Sequence, residues 1–178
     1  MLGLPDGIVR LEPYSPEWQR YYEHEKILLE AALGDSILDI QHVGSTAIEG
    51  MIAKPIIDID VTVENYEDAG KCIVPIEKVG YMYKGDNGIP CSYYFVKGIP
   101  AQYHLHLYET GSLPWQNQIY FRDYLIENPG EARRYAELKV ALAALYPQNR
   151  PAYLAGKASF IERIMEKVRD MHKAEQSA

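Results

Sequence analysis

Residues 41–47 of the chain read QHVGSTA, and residues 53–61 read AKPIIDIDV. The first stretch is a short predicted strand that ends at Gly44, where the missing side chain lets the backbone turn sharply and approach a ligand closely. The backbone amides of this turn, together with the hydroxyls of Ser45 and Thr46, are suited to holding a phosphate. Since Gly-Ser-Thr also makes ordinary turns, the second stretch is the more informative one.

The second stretch predicts a strand in which two carboxylates share one face. Side chains alternate across a strand, so Asp58 and Asp60 point one way while Ile57, Ile59 and Val61 point the other. Adjacent carboxylates repel each other unless a cation or a proton lies between them. Hard oxygen ligands on a preformed strand suit Mg²⁺ bound together with substrate phosphates. The alternative is a solvated polar face on an edge strand, which the apolar flanks disfavour.

A pair of histidines in the sequence YHLHL is a second candidate for chemistry. His104 and His106 fall on one face of a predicted strand, and with His42 they are candidate metal ligands alongside Asp58 and Asp60. The histidine pair and the aspartate pair are also the candidate catalytic residues, because both residue types accept and donate protons. Taken by itself, a histidine pair more often makes structural hydrogen bonds.

Strands and helices alternate in the first part of the chain, and helices alone follow. The predicted strands cover residues 37–43, 55–63, 81–84, 91–97 and 102–109, after a short strand or extended lead-in at 8–14. The predicted helices cover residues 15–34, 65–80, 115–127, 131–146 and 151–171. This order predicts an α/β (α+β) fold, with a mixed sheet, flanking helices and a helical C-terminal section. We expect one domain over residues 1–178, with the mixed core at about 8–110 and the helical section at about 114–172.

Charge is distributed unevenly along the chain. The net charge is −7, but residues 1–121 hold 8 Lys and Arg against 17 Asp and Glu, whereas residues 122–178 hold 10 against 8. An acidic first part and a mildly basic second part can face each other across a cleft. The overall sign argues against general nucleic-acid binding, which needs a basic face. Fifteen tyrosines against three phenylalanines suggest rings that border a polar cleft, or simply half-buried surface rings.

Targeting features are missing from the sequence as given. No basic region followed by a long apolar run opens the chain, and no stretch reaches the length of a membrane span. Cys72 and Cys91 have no metal-ligand spacing and are expected to be reduced packing residues. These features predict a cytoplasmic protein with no membrane partner.

The quoted motifs resemble those of the GrpB family. QHVGSTA followed by AKPIIDI is similar to the signature of that family, and the resemblance continues through HLH at 104–106, FRDYL at 121–125 and later motifs, over residues 8–170. GrpB domains resemble the nucleotidyltransferase superfamily, so the resemblance implies a nucleotidyltransferase-like fold. It also implies phosphate binding at Gly44 and Ser45, and a divalent metal, usually Mg²⁺, at Asp58 and Asp60. Mn²⁺ and Zn²⁺ are the alternative metals.

The chain departs from these relatives at two places. Many active members of the superfamily have a third carboxylate on a later strand, where this chain has His104 and His106, and a histidine changes both charge and geometry. GrpB relatives commonly have Pro after the Ser-Thr-Ala segment, where this chain has Glu49. The first departure bears directly on catalysis, because it removes a candidate base or metal ligand.

Basic residues outside the two motifs complete the set of candidate substrate contacts. Arg122, Lys139 and Lys157 border the apolar faces of their predicted helices and can neutralise a triphosphate, or can serve as surface charges. Lys54, just before the acidic strand, is a further phosphate contact. Taken with these residues, the resemblance implies a metal-dependent nucleotidyltransferase with an unknown acceptor. The alternatives are a non-catalytic module that binds a nucleotide or phosphorylated small molecule, and a His/Asp metal-dependent hydrolase.

Overall fold

The structure is a computed structural model and describes residues 1–176. Its five strands are β1 Asp39–Val43, β2 Ile57–Val63, β3 Tyr81–Tyr83, β4 Ser92–Lys97 and β5 Tyr103–Glu109. Its helices are α1 Glu17–Leu33, α2 Tyr66–Ala69, α3 Ile73–Lys78, α4 Leu113–Glu127, α5 Pro129–Leu145, α6 Arg150–Gly156 and α7 Ala158–Gln176.

The strands form one mixed sheet in the order β1-β2-β5-β4-β3. Only β2 and β5 run parallel, and the other neighbours are antiparallel. The parallel pair has the β-branched and leucine-rich composition expected of strands that are covered on both faces. The predicted mixed sheet with flanking helices and a helical C-terminal section is confirmed.

The two faces of the sheet differ in chemistry. One face is apolar and packs against α1, α2 and α3, with Ile59, Leu105 and Phe95 completely buried at its centre. The other face is polar and carries Asp58 and Asp60 from β2, with polar side chains of β5 beside them. Because α4 crosses this second face, polar groups there are buried rather than solvated. The alternative of a solvated polar face on an edge strand is therefore wrong.

Helices α4 to α7 form the helical section and pack around a second apolar cluster. Leu125 of α4, Tyr135 of α5 and Ile164 of α7 are buried in it, together with Ile48 from the turn after β1. A third, smaller cluster joins Leu142 of α5 to the N-terminal segment. The helical section is thereby anchored both to the sheet and to the first residues of the chain.

Two predicted helices are broken in the structure, and the short strand or extended lead-in predicted at 8–14 is an extended segment. The segment predicted as one helix from 65 to 80 contains α2, a 3₁₀ turn and α3, and Pro75 lies inside this stretch where its missing amide cannot continue the hydrogen-bond ladder. The segment predicted as one helix from 151 to 171 is divided at Lys157 into α6 and α7. Residues 8–14 form an extended segment attached by an isolated bridge from Glu12 to Ala53.

Candidate functional site

A cleft of about 740 Å³ lies between the polar face of the sheet and helices α4 to α7. Asp58, His104 and Tyr108 line its sheet side, and Phe121 and Tyr135 line its helical side. The turn after β1 and the loop before β4 close its two ends. A cavity of this size and mixed chemistry is typical of small-molecule sites.

The Gly44 turn brings the backbone against the Asp58 carboxylate. Gly44 has φ +69° and ψ −170°, a region that is essentially restricted to glycine. A Cβ atom placed there would lie 2.6 Å from Asp58 Oδ2. Glycine is therefore required twice at this position, once by the backbone conformation and once by the carboxylate that fills the space.

Asp58 presents an ionised carboxylate to the cleft. Its Oδ1 lies 3.1 Å from His104 Nδ1, and its side chain is 36% exposed. Burial by itself raises the pKa of Asp58, but the hydrogen bond and charge of His104, followed by the charge of Lys54, lower it below the usual value. His104 and Asp58 are paired across the parallel strands β2 and β5, as their register requires.

Asp60 lies beneath the cleft rather than at its surface. Its relative exposure is 0%, and neither carboxylate oxygen has a hydrogen-bond partner within residues 1–176. Burial, together with the nearby charge of Asp58, raises the pKa of Asp60 well above its usual value, while Arg122 opposes the shift. Asp60 is paired in register with His106, whose pKa burial lowers to about 4. The two predicted metal-binding aspartates thus share a face, but their pKa values are shifted in opposite directions.

His42 does not join the other predicted metal ligands, and this corrects the expected grouping. It is opposite Ile59 in the register, so its ring points to the apolar face of the sheet. There it stacks on Tyr22 of α1, with ring centroids 4.8 Å apart, and Nε2 lies 3.0 Å from the Thr46 hydroxyl. Thr46, predicted to contact phosphate, uses its hydroxyl in this contact. Burial lowers the pKa of His42 to about 4.

Three lysines predicted to contact substrate converge on one end of the cleft. Lys139 is 1% exposed, and its ammonium donates to the Ser45 hydroxyl at 3.0 Å and to the Ile52 carbonyl. Burial and the charges of Lys157 and Lys54 lower the pKa of Lys139 to about 7. Burial is also the main cause that lowers the pKa values of Lys54 and Lys157 to about 8 each.

Arg122 lines the cleft but has a structural task as well. One guanidinium nitrogen donates to the Gln41 amide oxygen at 2.9 Å and to the His42 carbonyl at 2.8 Å, and Nε donates to Asp123 at 2.7 Å. The bonds to Gln41 and His42 attach α4 to β1. Arg122 is therefore a less available phosphate contact than the lysines, because most of its donors are already used.

Positive charge dominates the lining of the cleft. Six lining residues are Lys or Arg and two are Asp or Glu, although the whole chain has a net charge of −7. The cations are Lys54, Arg122, Lys139, Arg150, Lys157 and Arg169. Five of the six come from residues 122–178, so the basic second part of the chain does face the acidic strand β2. A local excess of cations in an acidic protein is a feature that attracts anions.

The donors near β2 fit a hard divalent cation only in part. Within residues 1–176, no three His, Cys, Asp or Glu side chains are arranged to hold a metal ion, so the expected five-ligand cluster is not assembled. The two unpaired oxygens of Asp60 and the cleft-facing carboxylate of Asp58 remain as oxygen donors on one face. Mg²⁺ commonly takes one or two carboxylates and completes its shell with phosphates and water. The donor set therefore fits Mg²⁺ bound with a phosphate ligand better than it fits Zn²⁺.

Comparison with known proteins connects this site to a family. The family model described as GrpB protein matches residues 8–167. The chain belongs to the GrpB family. The glutamate-rich protein GrpB of Alkalihalophilus pseudofirmus is 37% identical over 94% of this chain and 100% of its own length. The crystal structure of GrpB from Enterococcus faecalis has a TM-score of 0.85 and 33% identity, over 92% of this chain and 99% of its own.

Relatives of this GrpB domain are also found in longer proteins. The YqkA protein of Bacillus subtilis is 35% identical over 98% of this chain, but the chain spans only 51% of that relative. None of the helices within residues 1–176 combines the length and the apolar character needed to cross a bilayer.

Some cleft residues have no recognisable signal in the sequence. Arg150 opens α6 in a stretch interpreted as a loop, yet it lines the cleft and its charge lowers the pKa values of Lys54 and Lys157. Tyr94 of β4 and Asn117 of α4 also line it. A tyrosine in a strand and an asparagine in a helix are common residues, so only their placement in the fold marks them.

Proposed function

We propose that this GrpB chain is a metal-dependent nucleotidyltransferase whose cleft binds a nucleoside triphosphate. The observation that carries the proposal is the set of six cations in the cleft, next to the ionised carboxylate of Asp58. Phosphates of the substrate would contact the Gly44 turn, Ser45 and the buried Lys139. The resemblance of the family to nucleotidyltransferases supports the same reaction class.

Asp58 and Asp60 would hold the divalent ion, which supplies charge neutralisation between the carboxylates and the substrate phosphates. Two carboxylates on one strand face suit this task, because a cation relieves their mutual repulsion. The raised pKa of Asp60 agrees with this, since burial and the negative charge of Asp58 both disfavour its ionised carboxylate until a cation is bound. The chain's other groups then position and neutralise the substrate.

The transfer step requires that an acceptor hydroxyl oxygen bonds to the α-phosphorus while the bond from that phosphorus to pyrophosphate breaks. His104 is placed to receive the hydroxyl proton. In the neutral tautomer whose Nδ1 donates to Asp58 Oδ1, Nε2 is left as the acceptor on a side chain that lines the cleft. Lysines at the same end neutralise the pyrophosphate that leaves.

The test is transfer of label from α-labelled nucleoside triphosphates to a panel of acceptors, with Mg²⁺ or Mn²⁺. We expect label transfer and pyrophosphate release by the wild type and loss of both in Asp58→Asn. Asp35→Asn is the matched control, because Asp35 is an exposed acid that lies away from the cleft. Failure of every triphosphate to react under either metal would contradict catalysis.

A non-catalytic binding module is the second candidate. The observation in its favour is that Asp60 does not line the cleft, which leaves Asp58 as the carboxylate of β2 at the cleft surface. Calorimetry separates the candidates, since a binding module would take up the triphosphate and return it unchanged. The His/Asp hydrolase has less support, because His42 faces away from the aspartates.

A further inference from the structure

The cleft runs along β5, and the buried cations gather at one end of it. Residues 104 to 108 of β5 span about 13 Å at the usual rise of a strand. His104, at the first end, contacts Asp58, and Asp58 in turn abuts the Gly44 turn that Lys139 contacts through Ser45. We call this the basic end of the cleft.

Three separate segments meet at the other end, around Tyr108. In the sheet register Tyr108 is opposite Ser92, whose hydroxyl donates to the carbonyls of Asp86 and Ile89 and so fixes the loop before β4. The helix α4 begins four residues after β5 ends. Burial raises the pKa of the Tyr108 hydroxyl. Gln118, on the second turn of α4, lies close enough to that hydroxyl to oppose this increase in part.

The lining of this second end is made of amides and apolar groups, and we call it the amide end. Its lining residues are Asn87, Ile89, Leu113, Pro114, Asn117 and Gln118. The charged lining residues on α7, Glu162 and Arg169, are exposed and have opposite signs. Arg122, one turn after Gln118 on α4, already uses most of its donors, so a phosphate would find no free buried cation here. A flat ring with polar edges would find apolar surface and amide partners.

Two polar groups at the amide end lack partners. The side-chain amide of Asn117 makes no hydrogen bond within the part of the chain that the structure describes, although Asn117 is partly buried. The completely buried Tyr108 hydroxyl has the Gln118 amide nearby, but no described residue contacts that hydroxyl with normal hydrogen-bond geometry. An unpaired buried hydroxyl is costly, and a ligand edge with donors and acceptors would satisfy it and would also pair with the half-buried Asn117 amide.

We propose that the amide end is the subsite for the nucleobase of the bound nucleotide, and that Asn117 hydrogen-bonds the edge of the base. This inference rests on the proposed binding of a nucleoside triphosphate. It places the phosphates at the basic end and the base at the amide end, next to α4. The two ends are separated by about 13 Å along β5. An asparagine amide offers a donor and an acceptor side by side, which is the pattern that pairs with a base edge.

The experiment compares calorimetric affinities for ATP, GTP, CTP and UTP with the affinity for inorganic tripolyphosphate, all with Mg²⁺. We expect the wild type to bind at least one nucleotide more tightly than tripolyphosphate. Asn117→Ala should weaken that nucleotide about tenfold and leave tripolyphosphate within about twofold, since one hydrogen bond to the base is lost. Asn117→Asp, which has no amide donors, should change the ranking of the four bases.

Gln116→Ala is the matched control, because Gln116 neighbours Asn117 on α4 but donates to the Gly111 carbonyl and does not line the cleft. It should leave all five affinities unchanged, and thermal unfolding should show that each variant folds. Equal wild-type affinity for nucleotides and tripolyphosphate, or an equal loss of both in Asn117→Ala, would overturn the base subsite alone. If none of the five probes binds, the proposed nucleotide binding is overturned together with the base subsite.

Discussion

The Lys139 ammonium lies 3.0 Å from the Ser45 hydroxyl, so a buried cation on α5 meets the turn that follows β1. The same ammonium donates to the Ile52 carbonyl and lies over the Tyr135 ring, 4.8 Å from its centroid. A charge buried among polar groups but without a carboxylate partner is costly. A bound anion would lower that cost. The contact between Lys139 and Ser45 would therefore make the stability of the helical section depend on whether an anion occupies the cleft.

Anion binding should depend on pH with a sign set by the cleft lysines. Because the pKa values of Lys139, Lys54 and Lys157 lie at about 7 to 8, these amines are partly neutral at pH 8 and must take up protons when an anion binds. The association constant for tripolyphosphate should then fall as pH rises from 7 to 9, by up to about tenfold per pH unit for each proton taken up. Calorimetry in buffers of different ionisation enthalpy measures the proton uptake directly.

Single lysine variants identify the source of this pH dependence. Lys139→Met should reduce the proton uptake, so the association constant for tripolyphosphate should fall less steeply with pH. Lys157→Met provides an independent test if the first variant is unstable. Comparing the wild type with each variant at the same pH isolates the contribution of the lysine, because the titration of tripolyphosphate itself is common to both proteins. An affinity that is constant from pH 7 to pH 9 would contradict the assignment.

Substitution of Gly44 should be more damaging than substitution of a neighbouring glycine with similar φ. Gly44→Ala both forces alanine into a glycine-only region and places Cβ 2.6 Å from Asp58 Oδ2, so we expect a loss of about 2–5 kcal/mol in the free energy of unfolding. Gly50→Ala, at φ +76° with nothing within 4 Å of the added Cβ, should lose about 1–2 kcal/mol. Urea unfolding measures both, and equal losses would show that the Asp58 contact is unimportant.

Neutralising the two aspartates of β2 should change stability in opposite directions. The pKa of Asp60 is raised in the folded protein, so the wild type loses stability as pH rises above the ordinary carboxyl range, and Asp60→Asn should remove this loss. The pKa of Asp58 is lowered in the folded protein, so its charge stabilises the fold at pH values above the unfolded pKa, and this stability is lost as pH falls. Asp58→Asn should therefore be destabilising at pH 7. Unfolding free energies from pH 4 to pH 8 test both signs.

Magnesium provides a further readout for the same two variants. Added Mg²⁺ with tripolyphosphate should raise the melting temperature of the wild type, because a ligand that binds only the folded state stabilises it. Both Asn variants should lose part of this increase. Full retention of the Mg²⁺-dependent increase in both would mean that the ion binds elsewhere.

A cation cluster around Glu131 should stabilise the helical section above acid pH. Glu131 of α5 accepts from Arg163 at 3.0 Å and from Lys167 at 2.7 Å, both on α7, and these hydrogen bonds lower its pKa to about 2. Its contribution should be present at pH 7 and disappear as pH falls from about 4.5 towards 2. Glu131→Gln should therefore destabilise at pH 7 and much less at pH 3.

The control for Glu131 is Glu137→Gln on the same helix, because Glu137 is exposed and makes none of these contacts. Circular dichroism during urea unfolding at the two pH values provides the comparison. Equal effects of the two substitutions at pH 7 would show that the contacts to α7 contribute nothing specific.

The sequence was sufficient for features that depend on short stretches of chain. The alternation of Asp58 and Asp60 with Ile57, Ile59 and Val61 determines that the two acids share a face in any strand, because the side-chain period of a strand is two. Strand β5 and the long helices α4 and α5 were likewise predicted to within about two residues of their observed ends. Composition also indicated which part of the chain would supply the basic side of the cleft.

Only the tertiary structure determined which of these residues meet. The register between β1 and β2 turns His42 to the apolar face, and a shift of one residue would have turned it to the aspartates. Likewise, Arg150 of α6 and Tyr94 of β4 line the same cleft although their segments are far apart in sequence. Local pattern fixes the direction of a side chain within its own element, but the partner across a cleft depends on how elements pack. That packing is decided by burial summed over the whole chain.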